Sequence, residues 1–506
     1  MKNFPLRNEM ADLSHLLPEI VFASKESATS KQISKWVKDG TLKKLAPRVY
    51  TSRTKEDPEA IVKRNLFTII GHLYPGILLS HRSAFEFEPT KTGKLFLTNS
   101  HNRKIQLPGV VLEVMRGPGP TAGDNQLAPG LFVSSHARAY MENLQPSRKP
   151  GPDSKTLTLP EIEERIEKVI RIREETGINQ IRDDAKIIAK PLGMEQELSK
   201  FNKLVSAILN TNPSHILNSP VALARKFGKP YDPGRIDLFN ILFKALNEPF
   251  NSYPDRNTEV NAFRNFAFFE AYFSNYIEGT EFEVDEAKQI ISTGKPLATR
   301  DGDSHDILGS YKIMSDQQGM RLTPTNPDEL IQILQYRHRV MLISREKANP
   351  GQFKDKNNRA GTTDFVDNEL VRGTLIQGFN NYQNLQDPFA KALYMHFMIS
   401  EVHPFLDGNG RVSRVMMNAE LVKANQTRII IPTVYRDDYI GAVKKLTKQQ
   451  DPSAYIRMMV RAWQFSATII GPEMGTMQSQ LERSNAFLEP DQGRLQIIEP
   501  QSGWTR

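Results

Sequence analysis

Cysteine is absent from this sequence of 506 residues. Disulfide bonds, thiolate nucleophiles and zinc sites built on cysteine are therefore excluded. Long apolar runs are absent too: no stretch of about 18 consecutive apolar residues occurs, so no transmembrane helix is expected. The N-terminal stretch MKNFPLRNEMADLSHLL lacks the apolar centre of a signal peptide. Together these absences predict a cytoplasmic protein with no membrane partner.

Excess charge is absent from most of the chain. The net charge is +8, and residues 1–150 hold 22 Lys and Arg against 13 Asp and Glu. The remainder is nearly neutral, so the whole positive excess lies in the N-terminal part. A polyanionic partner is expected there, although charge alone does not single out nucleic acid. The length permits about two to four domains, each large enough to bury a core.

What the sequence does contain is one dense polar motif, HPFLDGNGRVSR, at residues 403–414. Apolar residues at helical spacing lead into it from Phe389 and resume after it from Val412. Pro404 disfavours the α-helical conformation at His403, which predicts that the first helix stops there. The motif is therefore expected to be a short loop that opens onto a helix N-terminus. Such an N-terminus attracts anions through its unpaired N–H groups and the positive end of the helix dipole.

Five residues of this loop and the following helix suit phosphate binding. Gly408 and Gly410 would let the backbone approach an anion without a Cβ in the way. Asn409 could cap the helix or donate to a phosphate oxygen. Arg411 and Arg414 could grip phosphates with their forked donors. Each piece alone has an ordinary alternative, because a GxG is usually a turn and two helical arginines are usually a solvated face.

Two further residues of the motif suit proton transfer and metal binding. The unperturbed pKa of histidine, about 6.5, would let His403 act as a general base at neutral pH. Asp407 could hold a Mg²⁺ or Mn²⁺ ion whose other ligands are phosphates and water. A single histidine is more often a surface or core residue, so this prediction depends on the whole motif.

The motif resembles the signature of the Fic family, HPFx[D/E]GNGRxxR, and matches it at every specified position. The resemblance extends over about residues 255–465 and includes YRDDY at 435–439, which is similar to a C-terminal element of Fic domains. It implies transfer of a nucleotide moiety, most often AMP from ATP, to a Tyr, Thr or Ser hydroxyl of a target protein. It also implies that His403 removes the proton from that hydroxyl.

An apolar helical pattern upstream ends at residues 274–279 in SNYIEG, which resembles the family's inhibitory motif [S/T]xxxE[G/N]. Gly279 is a suitable residue to follow a helix end. Ser274 and Glu278 are four residues apart and share a helix face, so Ser274 is expected to orient the Glu278 carboxylate. The resemblance implies that Glu278 pairs with Arg414 and keeps it from holding the γ-phosphate of the nucleotide.

Residues 349–361 interrupt the helical pattern with Pro-Gly, Asn-Asn and Gly, which predicts a β-hairpin. In the Fic family the matching stretch is a flap that pairs with the backbone of the target as an added strand. The resemblance assigns target binding to Gly351, Gln352, Phe353 and Lys354. Phe353 and Lys354 stand where the family has an arginine, so the target would be clamped differently in detail. An ordinary surface hairpin is the alternative.

A lysine-rich helix and hairpin are predicted near the N-terminus. Residues 30–38 have helical apolar spacing, a DG turn signal follows, and residues 42–50 suggest short strands. This order is typical of a winged helix-turn-helix. The alternative is an amphipathic helix with a lysine-rich solvent face. The expected DNA contacts are the basic residues of the helix and wing, namely Lys31, Lys35, Lys38, Lys43, Lys44 and Arg48.

The N-terminal region resembles AbiEi-type antitoxins and related transcriptional regulators. The resemblance rests on TLKKLAPRVYTS at residues 41–52 and continues through LYPGILLSHRSAFEF and KLFLTNSHNRKIQLPGVVLEV, which alternate as strands. His81 and Arg82 in this region are expected to be structural. Residues 145–160 are rich in Pro, Ser, Lys and Gly and predict a linker.

The predicted fold is mainly α, with a Fic-type helical bundle and a β-hairpin flap preceded by an α+β winged-helix-like N-terminal region. The predicted boundaries are a winged-helix-like domain at 1–60, a strand-rich module at 61–145, a linker and helical spacer at 146–250, the catalytic domain at 251–475 and a flexible tail at 476–506.

The predicted function is transfer of AMP from ATP to a target protein, autoinhibited by Glu278. Two alternatives stay open. The first is removal of AMP, with Glu278 orienting a water, or use of another nucleotide. The second is a DNA-binding regulator of a toxin–antitoxin-like system whose Fic domain senses nucleotide. The expected partners are ATP, a target protein and double-stranded DNA, and a homodimer is left open.

Overall fold

The chain folds into two compact units, Met1–Phe227 and Gly228–Arg506. The computed structural model describes residues 17–147, 151–211, 216–297 and 299–498. The stretch considered for a signal peptide falls almost entirely outside these residues. Across the described parts of the chain, every helix is either too short or too polar to cross a membrane.

Strands alternate with short helices in the first part of the first unit, and longer helices follow. Asp57 starts α2 by accepting hydrogen bonds from the first-turn N–H groups of Glu59 and Ala60. The elements in chain order are β1 (Ile20–Phe22), α1 (Ser27–Lys38), β2 (Lys43–Ala46), β3 (Val49–Thr51), α2 (Pro58–Leu73), β4 (Ile77–Leu79), α3 (Arg82–Glu86), β5 (Lys94–Asn99), β6 (Arg103–Leu107), β7 (Val110–Arg116), β8 (Asn125–Ala128), β9 (Leu131–Val133), α4 (His136–Asn143), α5 (Leu159–Leu192), α6 (Glu195–Ile208) and α7 (Pro220–Lys226).

The strands of this unit form two sheets. The smaller sheet has the order β1-β3-β2, and the larger has the order β6-β7-β5-β4-β9-β8. In the larger sheet β5 pairs with β7 and β4 pairs with β9 in parallel, whereas the other pairs are antiparallel. Alternate residues of β7, namely Val110, Leu112 and Val114, are buried, so one face of this strand covers the core.

The two sheets share one apolar core. Leu45 and Val49 of the small sheet belong to the same buried cluster as Ile61 of α2 and Leu97 of β5. The predicted boundary near residue 60 is therefore wrong, because no separate core ends there. The predicted helix is present but begins at Ser27 rather than Ser30, and the β2–β3 hairpin follows it. The winged-helix assignment of this hairpin stays a prediction.

Residues 151–156 of the predicted linker are tied to the first unit by Arg82. The guanidinium of Arg82 donates to the carbonyl oxygens of Ser154, Gly151 and Thr156 at 3.1, 3.2 and 3.2 Å. A linker would leave these carbonyls in water. The prediction of a linker is wrong here because a buried cation binds the backbone.

Helices α4 to α7 build a second apolar core within the same unit. Ile166 and Ile178 of α5 and Phe201 of α6 are buried in this cluster. The helical segment predicted as a spacer is thus a packed layer of the first unit.

The second unit is almost entirely helical, with one short hairpin. Its elements are α8 (Pro233–Ala245), α9 (Val260–Ile277), α10 (Val284–Thr293), α11 (Asp301–Met314), α12 (Gln317–Met320), α13 (Pro327–Met341), β10 (Arg359–Ala360), β11 (Thr363–Asp364), α14 (Val371–Asn384), α15 (Pro388–Val402), α16 (Asn409–Lys423), α17 (Arg436–Gln449), α18 (Ser453–Ser466) and α19 (Met474–Arg483).

Helix α8 belongs to this unit, although the sequence placed it in the spacer that ends at residue 250. The ring of Phe239 lies 6.2 Å from that of Tyr394 and 6.3 Å from that of Phe397, both on α15. The described boundary between the units therefore falls after Phe227. Aromatic packing of Phe239 against α15 is what places α8 in the second unit.

Helices α15 and α16 lie at the centre of the second unit. Nearly every residue of α15 is buried, which fits its apolar composition on all sides. The loop between the two helices carries the HPFLDGNGR motif. A rigid, buried scaffold therefore holds both ends of the motif.

The C-terminal segment packs onto the same core as far as it is described. Met477 and Leu481 of α19, and then Ala486 and Leu495, are buried. The prediction of a flexible tail from residue 476 is wrong for residues up to 498, because these apolar side chains fill the core. The remaining tail residues lie outside the described part of the chain.

Candidate active site

The motif loop turns sharply between two helices. Helix α15 ends at Val402, and His403 follows it in the left-handed conformation with φ 52° and ψ 59°, which confirms the predicted helix end. Gly408 is also left-handed, with φ 74°, and directly precedes Asn409, the first residue of α16. A side chain at Gly408 would be strained by this φ and would press on Leu342, the residue that follows α13. The loop thus opens onto the N-terminus of α16 as predicted.

The imidazole of His403 is held by two contacts. Its Nδ1 lies 3.2 Å from the carbonyl oxygen of Ser400, and its ring stacks on Phe365 with 3.6 Å between centroids and 6° between planes. A carbonyl only accepts, so Nδ1 carries the proton and Nε2 keeps a free lone pair. Burial lowers the pKa of His403 to about 4, and the Lys354 ammonium acts in the same direction. His403 is therefore a neutral proton acceptor at pH 7.

Arg414 and Glu278 form an ion pair at the N-terminus of α16. The Nη2 group of Arg414 lies 2.7 Å from Glu278 Oε1, and its Nε group donates to Ser274 Oγ at 2.9 Å. The same Nη2 donates to the Ser274 carbonyl oxygen at 2.8 Å. A methyl group placed on Gly410 would overlap the Glu278 carboxylate. The carboxylate therefore lies directly against the backbone of the first turn of α16.

The predicted helix end upstream is confirmed, and the role predicted for Ser274 is corrected. Helix α9 ends at Ile277, Glu278 is its C-cap, and Gly279 follows with φ 87°. Ser274 was expected to orient the Glu278 carboxylate. Its hydroxyl instead accepts a hydrogen bond from Arg414. Ser274 therefore positions the Arg414 guanidinium, and the guanidinium in turn binds the Glu278 carboxylate.

Two residues predicted to bind phosphate have other partners. The side-chain amide of Asn409 accepts from the Phe405 N–H and donates to the Phe405 carbonyl, both at 2.8 Å, so it closes the loop. Arg411 is buried, and its Nη1 lies 2.5 Å from Asp306 Oδ2 on α11. Asp306 also pairs with Arg345 at 2.6 Å. Both predictions are corrected, because Phe405 of the same loop occupies the amide of Asn409 and Asp306 of a distant helix pairs with Arg411.

His338 on α13 supports the loop and was not singled out from the sequence. Its ring stacks on Phe405 with 3.7 Å between centroids and 3° between planes. Its Nδ1 accepts from the Gly351 N–H at 2.9 Å, so its Nε2 carries the proton and donates to the Asp407 carbonyl at 3.0 Å. Burial lowers the pKa of His338 to about 4. A single histidine within an amphipathic helix gives no sequence signal for such a role.

The carboxylate of Asp407 is half exposed at the edge of the loop. Its side chain is 51% exposed, and its Oδ1 accepts from the Gly408 N–H at 2.6 Å while lying 3.6 Å from Arg411. Among the described residues, no group of three or more acidic or histidine side chains could hold a metal ion. A single open carboxylate fits a Mg²⁺ ion that takes its other ligands from phosphates and water.

The predicted flap residues do not form the hairpin. The hairpin consists of β10 and β11, joined through Gly361, so it lies at the end of the predicted stretch and beyond it. Lys354 is 3% exposed, and its N–H donates to the Pro404 carbonyl at 2.9 Å. Phe353 packs on Phe405. Of the four predicted target-binding residues, only Gln352 is exposed. Gly351, Phe353 and Lys354 pack against the motif loop and its supporting residues, so their assignment to a target surface is wrong.

A cavity of about 230 Å³ lies beside His403, Glu278 and Arg414. Tyr439 of α17 lines it, and its hydroxyl lies 3.4 Å from Arg414 and 2.8 Å from Nε2 of His396. The sequence pointed to Tyr439 only through the YRDDY element. The other lining residues include Glu278, His403, Gly410, Arg414 and the hairpin residues Ala360, Thr363 and Phe365.

The residues predicted to bind DNA lie on the first unit. All of them are exposed, on α1, on β2 and in the turn that follows β2, namely Lys31, Lys35, Lys38, Lys43, Lys44 and Arg48. Exposure fits either a DNA contact or a solvated face, so this assignment stays a prediction.

Residues 327–421, which include most of the groups described above, match the model of the Fic/DOC family. The chain is 28% identical over 220 residues to the protein adenylyltransferase Fic of Drosophila grimshawi, covering 40% of this chain and 43% of that protein. It is 28% identical over 209 residues to the protein of the same name from Drosophila persimilis, covering 38% of this chain and 39% of the relative. The chain thus spans less than half the length of these curated relatives.

Two solved structures are also similar to part of this chain. Fic-1 from C. elegans shares 17% identity with a TM-score of 0.34, covering 65% of this chain and 89% of that chain. A Fic domain-containing signaling protein from Bacteroides thetaiotaomicron shares 17% identity with a TM-score of 0.36, covering 50% of this chain and 98% of that chain. The Fic match therefore rests on residues 327–421, and likenesses this distant say nothing about the chemistry of this chain.

Proposed function

We propose that this protein transfers AMP from ATP to a Tyr, Thr or Ser hydroxyl of a target protein, and that Glu278 holds its activity low. The observation that carries the proposal is the Glu278 carboxylate, which lies 2.7 Å from Arg414 and against Gly410 at the N-terminus of α16. Helix N-termini attract phosphates and carboxylates alike. A nucleotide phosphate and Glu278 would therefore compete for one site. The Drosophila relatives named protein adenylyltransferase Fic support this class of reaction.

The proton step falls to His403. Its Nε2 faces the cavity as a free acceptor because Nδ1–H is held on the Ser400 carbonyl. In the proposed reaction Nε2 takes the proton of the target hydroxyl while the hydroxyl oxygen attacks the α-phosphorus of ATP. The bond to pyrophosphate breaks, and pyrophosphate leaves with the electron pair. His403 loses the proton to solvent before the next turnover.

In the proposed complex, the first turn of α16 and Arg414 bind the phosphates of ATP. The unpaired N–H groups of that turn and the bare backbone at Gly410 form the cradle, and Arg414 contributes a forked donor. Asp407 would hold the Mg²⁺, which supplies charge neutralisation on the phosphates when bound. Asn409, Arg411 and His338 shape the loop without touching the nucleotide.

The inhibition follows from the ion pair. Although burial opposes a charged guanidinium, the Glu278 carboxylate keeps the pKa of Arg414 above its ordinary value. In the proposed resting state Arg414 is therefore charged and committed to Glu278. ATP would bind in the wrong position for transfer until the carboxylate moves away.

The test is a double-mutant cycle of Glu278→Gly and Arg414→Ala, with labelled ATP and Mg²⁺ in a cell lysate. Glu278→Gly should raise labelling about 10- to 100-fold, because a charge-assisted hydrogen bond no longer occupies Arg414. The gain should need Arg414, so the double variant should be no faster than Arg414→Ala alone. An equal gain in the Arg414→Ala background would overturn the inhibitory pair.

A matched control is Glu278→Gln, which keeps the bulk over Gly410 and removes the charge. It should release less activity than Glu278→Gly, since the amide still covers the cradle. The mass added to a labelled target distinguishes AMP from another nucleotide. Loss of label from a pre-modified target in wild-type protein would favour AMP removal instead.

A further inference from the structure

The imidazole of His403, the proposed general base, is covered by one aromatic ring that follows the hairpin strands. Phe365 follows β11 directly and stacks on His403 with 3.6 Å between centroids and 6° between planes. Parallel rings this close restrict rotation of the imidazole about its own side chain. The Ser400 carbonyl fixes one edge of the ring, and Phe365 fixes its plane. Together the two contacts determine where Nε2 points.

Phe365 is held in place by cations that grip the backbone of the hairpin. Arg235 of α8 donates to the Asp364 carbonyl at 2.6 Å, and Lys448 of α17 donates to the Thr362 carbonyl at 2.9 Å. The Asp364 carbonyl directly precedes Phe365, and the Thr362 carbonyl lies in the turn of the hairpin. A two-residue strand pair alone would be marginal in water. The hydrogen bonds from Arg235 and Lys448 therefore stabilise a hairpin that has few backbone hydrogen bonds of its own.

Arg235 also reaches the helix that presents the base. Its Nη1 lies 3.0 Å from Glu401 Oε1, and Glu401 is two residues before His403. The other oxygen of Glu401 accepts from Thr447 at 2.8 Å. One guanidinium thus connects the hairpin to the end of α15, so the Phe365 ring and His403 share a common anchor.

We propose that Phe365 is a positioning residue that sets the plane of the His403 ring for proton abstraction, and that Arg235 holds Phe365 over that ring. The inference rests on the proposed role of His403 as the base. The stack keeps water from one face of the imidazole and aims Nε2 at the incoming hydroxyl.

The charged groups that act on the ring come from several elements. Lys354 lowers the pKa of His403, whereas the carboxylates of Glu278 and Asp407 raise it. Burial exceeds all of these and sets the pKa at about 4. Removing Phe365 opens one face to water, which should raise the pKa while leaving the three charges in place.

The first measurement is the titration of His403 by NMR in the full chain, with labelled histidine and assignment by His403→Gln. Wild type should show no titration of this residue between pH 5 and 8, since its pKa is about 4. Phe365→Ala should bring a midpoint into that window, about one unit or more above wild type. Phe365→Tyr keeps the stack and should behave as wild type. Thr362→Ala alters the same hairpin without touching the stack and should also leave the midpoint unchanged.

The second measurement is the kinetics of labelling in the Glu278→Gly background. Phe365→Ala should lower kcat about 10- to 100-fold, because a misaligned base loses its geometry, with the KM for ATP within about threefold. Phe365→Tyr should restore kcat. Arg235→Ala should show the same changes in smaller measure, because Phe365 is still present but less firmly held.

The outcomes separate the two proposals. An unchanged His403 midpoint in Phe365→Ala overturns the positioning role, whatever the enzyme transfers. A shifted midpoint in a protein that labels nothing, even as Glu278→Gly, supports the packing of Phe365 on His403 and overturns the proposed AMP transfer. A purely structural role would lower the melting temperature of Phe365→Ala without moving the midpoint, and that result also rejects the inference.

Discussion

His403 has two properties that together suit a base, and they come from different neighbours. The left-handed backbone at the end of α15 turns the side chain into the cavity, and the Ser400 carbonyl holds the tautomer that leaves Nε2 free. Burial keeps the ring neutral down to about pH 4. Activity that depends on neutral His403 should therefore persist through mildly acidic pH and be lost as the pH falls through about 4.

At the same scale, His403→Ala tests the base directly. In the Glu278→Gly background this change should reduce labelling about 10²- to 10⁴-fold, which is the range for loss of a general base. Calorimetric titration with ATP should give an affinity within a few-fold of the parent, since phosphate binding uses α16 and Arg414. Undiminished labelling would exclude His403 as the base.

Helix α9 illustrates how elements depend on distant segments. Its last turn carries the Glu278 carboxylate to α16, and the C-terminal segment holds that turn from the other side. Tyr276 hydrogen bonds Glu489, and Phe487 packs on Tyr272 and Phe273 with centroids at 5.8 and 5.1 Å. The end of the chain is therefore part of the packing that fixes the inhibitory helix.

This packing predicts a measurable cost at the element scale. Phe487→Ala should reduce the free energy of unfolding by about 2–4 kcal/mol, because it removes a half-buried ring from an aromatic cluster. Leu488→Ala is the matched control, since Leu488 is exposed and should change stability by less than about 0.5 kcal/mol. Urea denaturation of both variants measures the difference. Equal stabilities would support the flexible tail that the sequence predicted.

On the scale of the whole molecule, the positive charge and the candidate active site belong to different units. The excess of basic residues lies within residues 1–150, in the first unit, whereas the motif lies in the second. A chain built this way can carry two separable functions. DNA binding remains a prediction for the first unit.

The prediction is tested by replacing Lys31, Lys35 and Lys38 with Gln in the full chain. If α1 contacts phosphates, duplex affinity should fall, and the slope of log K against log salt should become shallower by about 2–3, since each phosphate contact releases counterions. Labelling by Glu278→Gly should be unaffected. Exchanging the exposed Lys63, Lys186 and Lys190 of the same unit is the charge-matched control. Absence of duplex binding by the unaltered chain at low salt removes the DNA prediction.

The local features of the site could be read from the sequence. Pro404 placed the end of α15, Gly279 placed the end of α9, and Gly408 placed the turn into α16. These residues act through their own backbone preferences, so their effects do not depend on what packs nearby. The pairing of Glu278 with Arg414 is different, because the two residues lie 136 positions apart and only the resemblance to the Fic family implied it.

Partners from far along the chain were decided only by tertiary structure. Asp306 binds Arg411, and residues 351–354 pack against the motif loop where an exposed flap was predicted. Phe365 reached His403 in the same way. A sequence states which groups can donate, accept or stack, but many partners compete for each of them. Packing of the helices chose among those partners, because it decides which side chains lie within contact distance of the motif loop.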